Sequence, residues 1–304
     1  SSFSALLAIV ASSASSGFAN WNTKYWANEK NFNRISSFNV SDNLPEGLKS
    51  NTKTSSEVVT ASDDGKTLMY TDSDLGVVGL VDISDPAKPK ALGIVELEAE
   101  PTGIAALGNN IYIGSNTSES YTNPSGALVQ YDLGKRKKIK QCDLDGQPDS
   151  VFVSPDGSFL AVAIENERDE EYKDGVIPQL DEDGKQINPA GYVALIKLNK
   201  KGNLKCSSIK KVDLTGLASI ASSDPEPEFV AINDLGETVV SLQENNHLAV
   251  IDKDGNVISH FTAGIVKQMA GMDTKKDGAH KFKKKLKNVR REPDGLTWID
   301  NDHF

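Results

Sequence analysis

The stretch "EPEFVAINDLGETVVSLQENNHLAVIDKDGNVISHF", Glu226 to Phe261, decides the fold. It opens on a Glu-Pro pair. Four short apolar segments follow, "EFVAI", "TVVSLQEN", "HLAVIDK" and "NVISHF", separated by polar turn residues. Asp254-Gly255 is the pair that a tight hairpin favours. The segments are too short for helices and rich in Val and Ile, so the stretch reads as four consecutive antiparallel strands.

The same template recurs along the chain. Its lead-ins are "SSEVVTASDDG" (Ser55 to Gly65), "EPTGIAAL" (Glu100 to Leu107), "QPDSVFVSPDG" (Gln147 to Gly157), "EPEFVAINDLG" (Glu226 to Gly236) and "EPDGLTWID" (Glu292 to Asp300). Each lead-in but the last is followed by three further strands, and the third strand often ends in Asp: Asp82, Asp132, Asp252. Four antiparallel strands recurring every ~40–50 residues predict a β-propeller built of four-stranded blades. An ordinary sandwich would not repeat one four-strand template behind the same lead-in. Two spacings are too long, and the excess falls in residues 169–190 and 265–291, expected to be loop insertions. Four blades, a partial fifth and an N-terminal strand around "FNRISSFNV" make a poor closed ring. The expectation is an incomplete all-β propeller over residues 20–304, closed by a partner or by a missing C-terminal half.

Residues 1–19, with an apolar core Phe3 to Val10 ahead of small residues, resemble a secretory signal. A secreted or extracytoplasmic location is therefore expected. Asn39-Val40-Ser41 and Asn116-Thr117-Ser118 are glycosylation sequons of the kind a glycoprotein carries, though such triplets also arise by chance. The chain has 304 residues and a net charge of −10, which argues against nucleic acid or an anionic membrane as partner and admits divalent cations. No apolar run reaches the ~18 residues of a membrane helix. Cys142 and Cys206 could pair, but both read as residues of outer strands in different repeats, which weighs against a disulfide.

In a propeller the first strand of each blade lines the central channel, and its lead-in opens on the same face as the end of the second strand. Two rings follow. One holds Ser55, Glu100, Gln147, Glu226 and Glu292; the other, two positions on, holds Glu57, Thr102, Asp149, Glu228 and Asp294. The second strands end on that face at Asp72, Asn116, Glu165-Asn166-Glu167-Arg168 and Gln243-Glu244-Asn245-Asn246. Carboxylates and amides thus converge on one mouth. That many hard oxygens suit Ca²⁺, and Arg168 could add bidentate recognition of a phosphate or another anion. For any one of these residues, a structural role as acceptor of backbone N–H groups is equally expected.

Other motifs are weaker. Asp273 to Gly278 begins like a calcium loop, but Lys275 and Lys284 stand where ligands belong; Asp181 to Gly184 fails similarly. "KFKKKLKNVRR", Lys281 to Arg291, reads as an exposed basic insertion or as a flap that attracts anions to the mouth. His247, His260, His280 and His303 show no zinc spacing, and no nucleophile elbow, phosphate loop or haem motif occurs.

"AIENERDEEYKDGVIPQ", "DPEPEFVAIND", "VVSLQENNHLAVID" and "REPDGLTWID" resemble a family of exported propeller proteins. Its bacterial members are called alkaline-phosphatase-like or esterase-like phytases, and it is related to the choice-of-anchor I domain and to mesenchyme-specific cell-surface glycoproteins. The resemblance runs from about Phe32 to the end. It implies a secreted metal-dependent phosphoric-ester hydrolase, with Ca²⁺ or another divalent metal as cofactor and a phosphorylated small molecule as substrate. On that reading Glu165, Glu167, Glu226, Glu244, Glu292 and Glu100 are the candidate metal ligands. Arg168 would hold the phosphate, and Asp149 or Glu228 would act as base. The alternative is a non-catalytic calcium-binding propeller that acts in extracellular, surface or assembly interactions.

Overall fold

The computed structural model describes residues 34–48, 52–169, 171–175, 178–272 and 284–304. The expected signal segment and the first residues of "FNRISSFNV" lie outside them, as do Asp273 to Gly278.

Four four-stranded antiparallel sheets follow one another along the chain. Blade 1 is β1 (Ser56–Ala61), β2 (Thr67–Asp72), β3 (Val77–Asp82) and β4 (Lys90–Glu96). Blade 2 is β5 (Glu100–Leu107), β6 (Asn110–Asn116), β7 (Gly126–Asp132) and β8 (Lys137–Leu144). Blade 3 is β9 (Pro148–Val153), β10 (Phe159–Ile164), β11 (Tyr192–Lys197) and β12 (Lys210–Asp213). Blade 4 is β13 (Pro227–Ile232), β14 (Thr238–Leu242), β15 (His247–Ile251) and β16 (Val257–Thr262). In every blade the strands pair in sequence order. The first strands β1, β5, β9 and β13 pack side by side in that order, so the sheets stand around a common axis as propeller blades without closing the ring.

The burial pattern explains why the second and third strands read as continuous apolar runs. β10, β14 and β15 are buried at every residue, because blade 3 stands between two blades and blade 4 between blade 3 and the segment that carries Leu296 and Trp298. The outermost strands are largely exposed; β16 is covered only in part at Val257. Three apolar layers fill the spaces between blades, centred on Met69, Ile111 and Ile113, on Tyr112, Leu160 and Ile164, and on Val230, Leu242 and Ile251. The two end blades are capped by chain segments. Phe38 and Val40 pack on Leu68 and Tyr70 of blade 1, and Leu296 and Trp298 pack on Ala231 and Val239 of blade 4.

Several sequence expectations are corrected. Residues 34–39 form no strand; a 3-10 turn over Val40–Asn43 follows instead, clipped to blade 1 by Asn43, which donates to the Tyr70 hydroxyl (3.0 Å) and accepts from Gly93 N (3.1 Å). The fifth lead-in, "EPDGLTWID", is not a strand. It lies against blade 4, where Trp298 Nε1 donates to Ala231 O (3.0 Å). The 265–291 insertion is not only loop: β17 (Ile265–Met272) and β18 (Lys284–Arg290) form an antiparallel hairpin.

Cys142 and Cys206 are joined by a disulfide. Cys142 does sit in the outer strand β8, but it is buried and turned towards blade 3. Cys206 lies in a 3-10 turn (Cys206–Ser208) before β12 rather than in a strand. The turn carries it across to blade 2, so the bond staples two blades.

Candidate functional site

All four inner strands share one irregularity. The pairing of β1 with β2 shifts between Ser56 and Val59, that of β5 with β6 between Pro101 and Gly103, and that of β13 with β14 between Pro227 and Phe229. On β9 the shift spans Asp149 and Ser150, since Pro148 faces Ile164 while Val151 faces Val162. A β-bulge therefore falls on Glu57, Thr102, Asp149 and Glu228, the residues of the second expected ring. A bulge breaks the two-residue alternation and re-aims its side chain. The first and second rings therefore do not line one wall, as strict alternation requires.

At blades 3 and 4 the bulged residues are acids. Asp149, Glu165 just after β10, and Glu228 open half-buried on the channel, walled by protein on most sides. Burial, then repulsion from Asp149, Glu228, Glu167 and Glu226, pushes the Glu165 carboxyl up to about 9. Burial, then Asp149, Asp294, Glu244 and Glu226, pushes Glu228 up to about 8. Burial, then Asp294 and Glu167, pushes Asp149 up to about 7. With its amide NH₂ turned to Glu228, Gln243 donates to it at 3.1 Å. Among the described residues none of these three acids makes an ion pair. Burial and mutual repulsion therefore both disfavour the charged forms of these carboxyls.

Two close backbone approaches shape this wall. A Cβ on Gly103 would stand 2.5 Å from Asp149 O, and one on Gly191 would stand 2.4 Å from Ile164 O and 2.7 Å from Glu165 O. Glycine lets blade 2 meet the Asp149 bulge and lets the returning insertion pass against the Glu165 backbone.

Arg168 is placed differently from the expectation. It is buried, and its guanidinium bridges Glu226, in very close contact, and Glu244 at 3.0 Å. It ties the lip of blade 3 to the lead-in of blade 4. Its guanidinium is thus committed to two carboxylates, an arrangement the sequence reading did not include. Glu226, 2% exposed, is spent on the same pair, although its Oε1 has no partner. Burial raises Glu226 to about 7 even though Arg168 pulls it down. Glu167 is exposed and accepts from Gln147 Nε2 at 3.3 Å. Glu100 and Glu292 are exposed and outside the acid group. Glu292 lies 4.0 Å from Arg290.

Asp72 and the amides at the other second-strand ends are clamps. Asp72 Oδ1 accepts from Ser55 N and Leu75 N, Asn166 Oδ1 from Gln147 N, and Asn245 Oδ1 from Glu226 N. Asn246 Oδ1 accepts from both Arg291 N and Glu292 N. Asn166 and Asn246 adopt positive φ, which Asn tolerates better than most residues. Thr102 is structural as well: its hydroxyl donates to Pro148 O at 2.7 Å. Asp294, which alignment placed in the second ring, does join the acid group, through its repulsion of Asp149 and Glu228.

Among the described residues no three Asp, Glu, His or Cys side chains stand close enough to clasp one ion. The spacing of the carboxyls at the mouth does not form a cage for a cation.

Sheets, bulges and shared mouth define an open β-propeller. The chain matches the choice-of-anchor I domain over residues 57–302 and belongs to that family. No curated protein matches it in sequence. Among solved structures it is similar to the periplasmic gluconolactonase PpgL of Pseudomonas aeruginosa (18% identity, 75% of this chain and 57% of that one, TM-score 0.46). It is also similar to a catalytically inactive virginiamycin B lyase from Staphylococcus aureus (15%, 72% and 61%, 0.44) and to a chain of the nidogen/laminin complex (15%, 71% and 66%, 0.45). The chain spans less than two thirds of the length of each of these.

Proposed function

We propose that this chain is the cation-binding propeller of an extracytoplasmic protein, and that the cation equips the mouth to hydrolyse phosphoric esters. The observation that carries the first part is the group Asp149, Glu165 and Glu228, which crowds negative charge into a walled mouth with no cationic side chain paired to it among the described residues. A divalent ion that prefers hard oxygens, Ca²⁺ first, would relieve that repulsion better than protons do at neutral pH. The carboxyls must turn towards a common centre to hold it, and water would complete the six to eight oxygens that Ca²⁺ takes. The disulfide supports an oxidising compartment, and no helix among the described residues is long and apolar enough to cross a membrane.

The second part rests on the resemblance to phosphatase-like and phytase-like propellers. A cation at the mouth would supply Lewis acidity towards a phosphoryl oxygen. Asp149 and Glu228, at about 7 and about 8, are matched to taking up a proton near neutral pH. Arg168, locked between Glu226 and Glu244, supplies no phosphate clamp, and this favours the second reading of a non-catalytic calcium-binding propeller. The test is phosphate release from an aryl phosphate by the full chain, from neutral to alkaline pH, beside Ca²⁺ calorimetry. Ca²⁺-dependent release, lost in Asp149→Asn and Glu228→Gln, is expected of the hydrolase. Binding of Ca²⁺ without release would leave the non-catalytic reading; no binding would overturn both.

A further inference from the structure

A cleft of about 200 Å³ lies outside the acid mouth, between the β6–β7 loop of blade 2 and the β10–β11 insertion of blade 3. One wall carries Ser120, Tyr121 and Thr122; the other carries Asp169, Tyr172 and Gln179. Ile187 adds an apolar contact. The volume is well above what one ordered water fills.

The chemistry of the lining is specific. Gln179 is 1% exposed, and its Nε2 is committed to Asp169 O, while its Oε1 is buried with no partner. A buried acceptor without a partner is unfavourable, so a ligand that supplies a donor to it would be stabilised. Asp169 Oδ1 accepts from Glu171 N at 2.9 Å, which leaves its second oxygen as a further acceptor. The Tyr172 hydroxyl is tied back, donating to Leu180 O at 3.1 Å, so the residue presents its ring rather than its hydroxyl. Lys173 sits 4.9 Å over that ring and also donates to Leu180 O. Among the described residues the lining holds no cation, and its one charged group is an acid. An anion such as phosphate is thereby disfavoured, and a purely apolar ligand would strand Gln179.

We infer that this cleft is a saccharide-binding site. Two tyrosine rings meet the C–H faces of a sugar, and Gln179, Asp169, Ser120 and Thr122 meet its hydroxyls. The blade 2 wall is preorganised: Glu119 N donates to Asn123 O, Ser118 Oγ to Ser125 O at 3.1 Å, and Asn123 Nδ2 to Glu119 at 2.8 Å. Order in place before binding spares the ligand the cost of ordering that wall. The inference does not rest on the cation proposed for the mouth.

The test uses the full chain and the methyl glycosides of glucose, galactose, mannose and N-acetylglucosamine. Saturation-transfer NMR and calorimetry are run with and without EDTA, with inorganic phosphate as comparator. At least one glycoside is expected to bind, with a dissociation constant of the order of 1 mM or tighter and no dependence on EDTA. Phosphate is expected neither to bind in the cleft nor to compete. Tyr121→Ala and Gln179→Leu should each weaken binding about tenfold or more, with the far-UV dichroism unchanged. Should Gln179→Leu fail to fold, Tyr121→Ala, at an exposed position of the other wall, still decides. No glycoside binding, binding that Tyr121→Ala leaves unchanged, or displacement by phosphate would overturn the inference.

Discussion

Arg168 shows how a residue can sit in the right place for one role and serve another. Sequence alignment of the blades placed it on the lip of the mouth, and that position holds. Its partners, Glu226 and Glu244, come from the next blade and carry no spacing signal to Arg168, so the ion pair was illegible. Removing the guanidinium leaves two carboxylates facing each other, one of them fully buried. Arg168→Met should therefore lose about 3–5 kcal/mol in chemical denaturation, and adding Glu226→Gln should restore part of it. A loss under about 1 kcal/mol would show that the pair is not structural. Asp149, Glu165, Glu228 and Asp294 were legible from the aligned lead-ins and strand ends. The bulges that select the second ring over the first were not, because a bulge leaves no mark in a pattern of period two. The raised acids also have a pH consequence. The folded chain binds their protons more tightly than the unfolded chain, so without cation their contribution falls as pH rises from about 4 towards about 9, and it changes no further above that. Glu165→Gln removes the most strongly shifted group. At pH 9 in EDTA the variant should be more stable than the parent by about 2 kcal/mol, and at pH 4 the two should be equal.

At the scale of elements, the strands were the most legible feature. "TLMYTD" is β2 to the residue, and the buried runs of β10, β14 and β15 stood out as apolar segments bounded by turns. The misses share a cause: tertiary contacts override local pattern. The basic run from Lys284 to Arg290 pairs with Ile265–Met272 because each supplies the other's backbone partners, not because either looks like a buried strand. The fifth lead-in copies the template but packs on blade 4 through Trp298. The disulfide was missed because Cys206 precedes its outer strand and is turned to the neighbouring blade. It closes a loop of sequence separation 64, for which chain entropy gives about 4 kcal/mol. Cys142→Ser/Cys206→Ser should lower the unfolding free energy by about that amount. A change below about 1 kcal/mol would mean that blades 2 and 3 hold together through Tyr112, Leu160 and Ile196 alone.

Over the whole molecule, the blades turn a linear repeat into a single acidic mouth. Their sheets supply a rigid frame, and the glycines at 103 and 191 let the frame close on the acids. The four stacked sheets establish the architecture, while the chemistry of the mouth rests on its side chains. A net charge of −10 adds a diffuse attraction for cations that salt should screen, whereas binding by the mouth acids should persist in salt and grow with pH as protons leave. The most direct measurement is Ca²⁺ titration calorimetry of the full chain at pH 8 in physiological salt, beside Glu165→Gln and Glu228→Gln. The parent should bind Ca²⁺ with proton release and gain thermal stability, and each variant should bind about tenfold or more weakly. No Ca²⁺ binding by the parent, or equal binding by all three proteins, would contradict a cation site at this mouth.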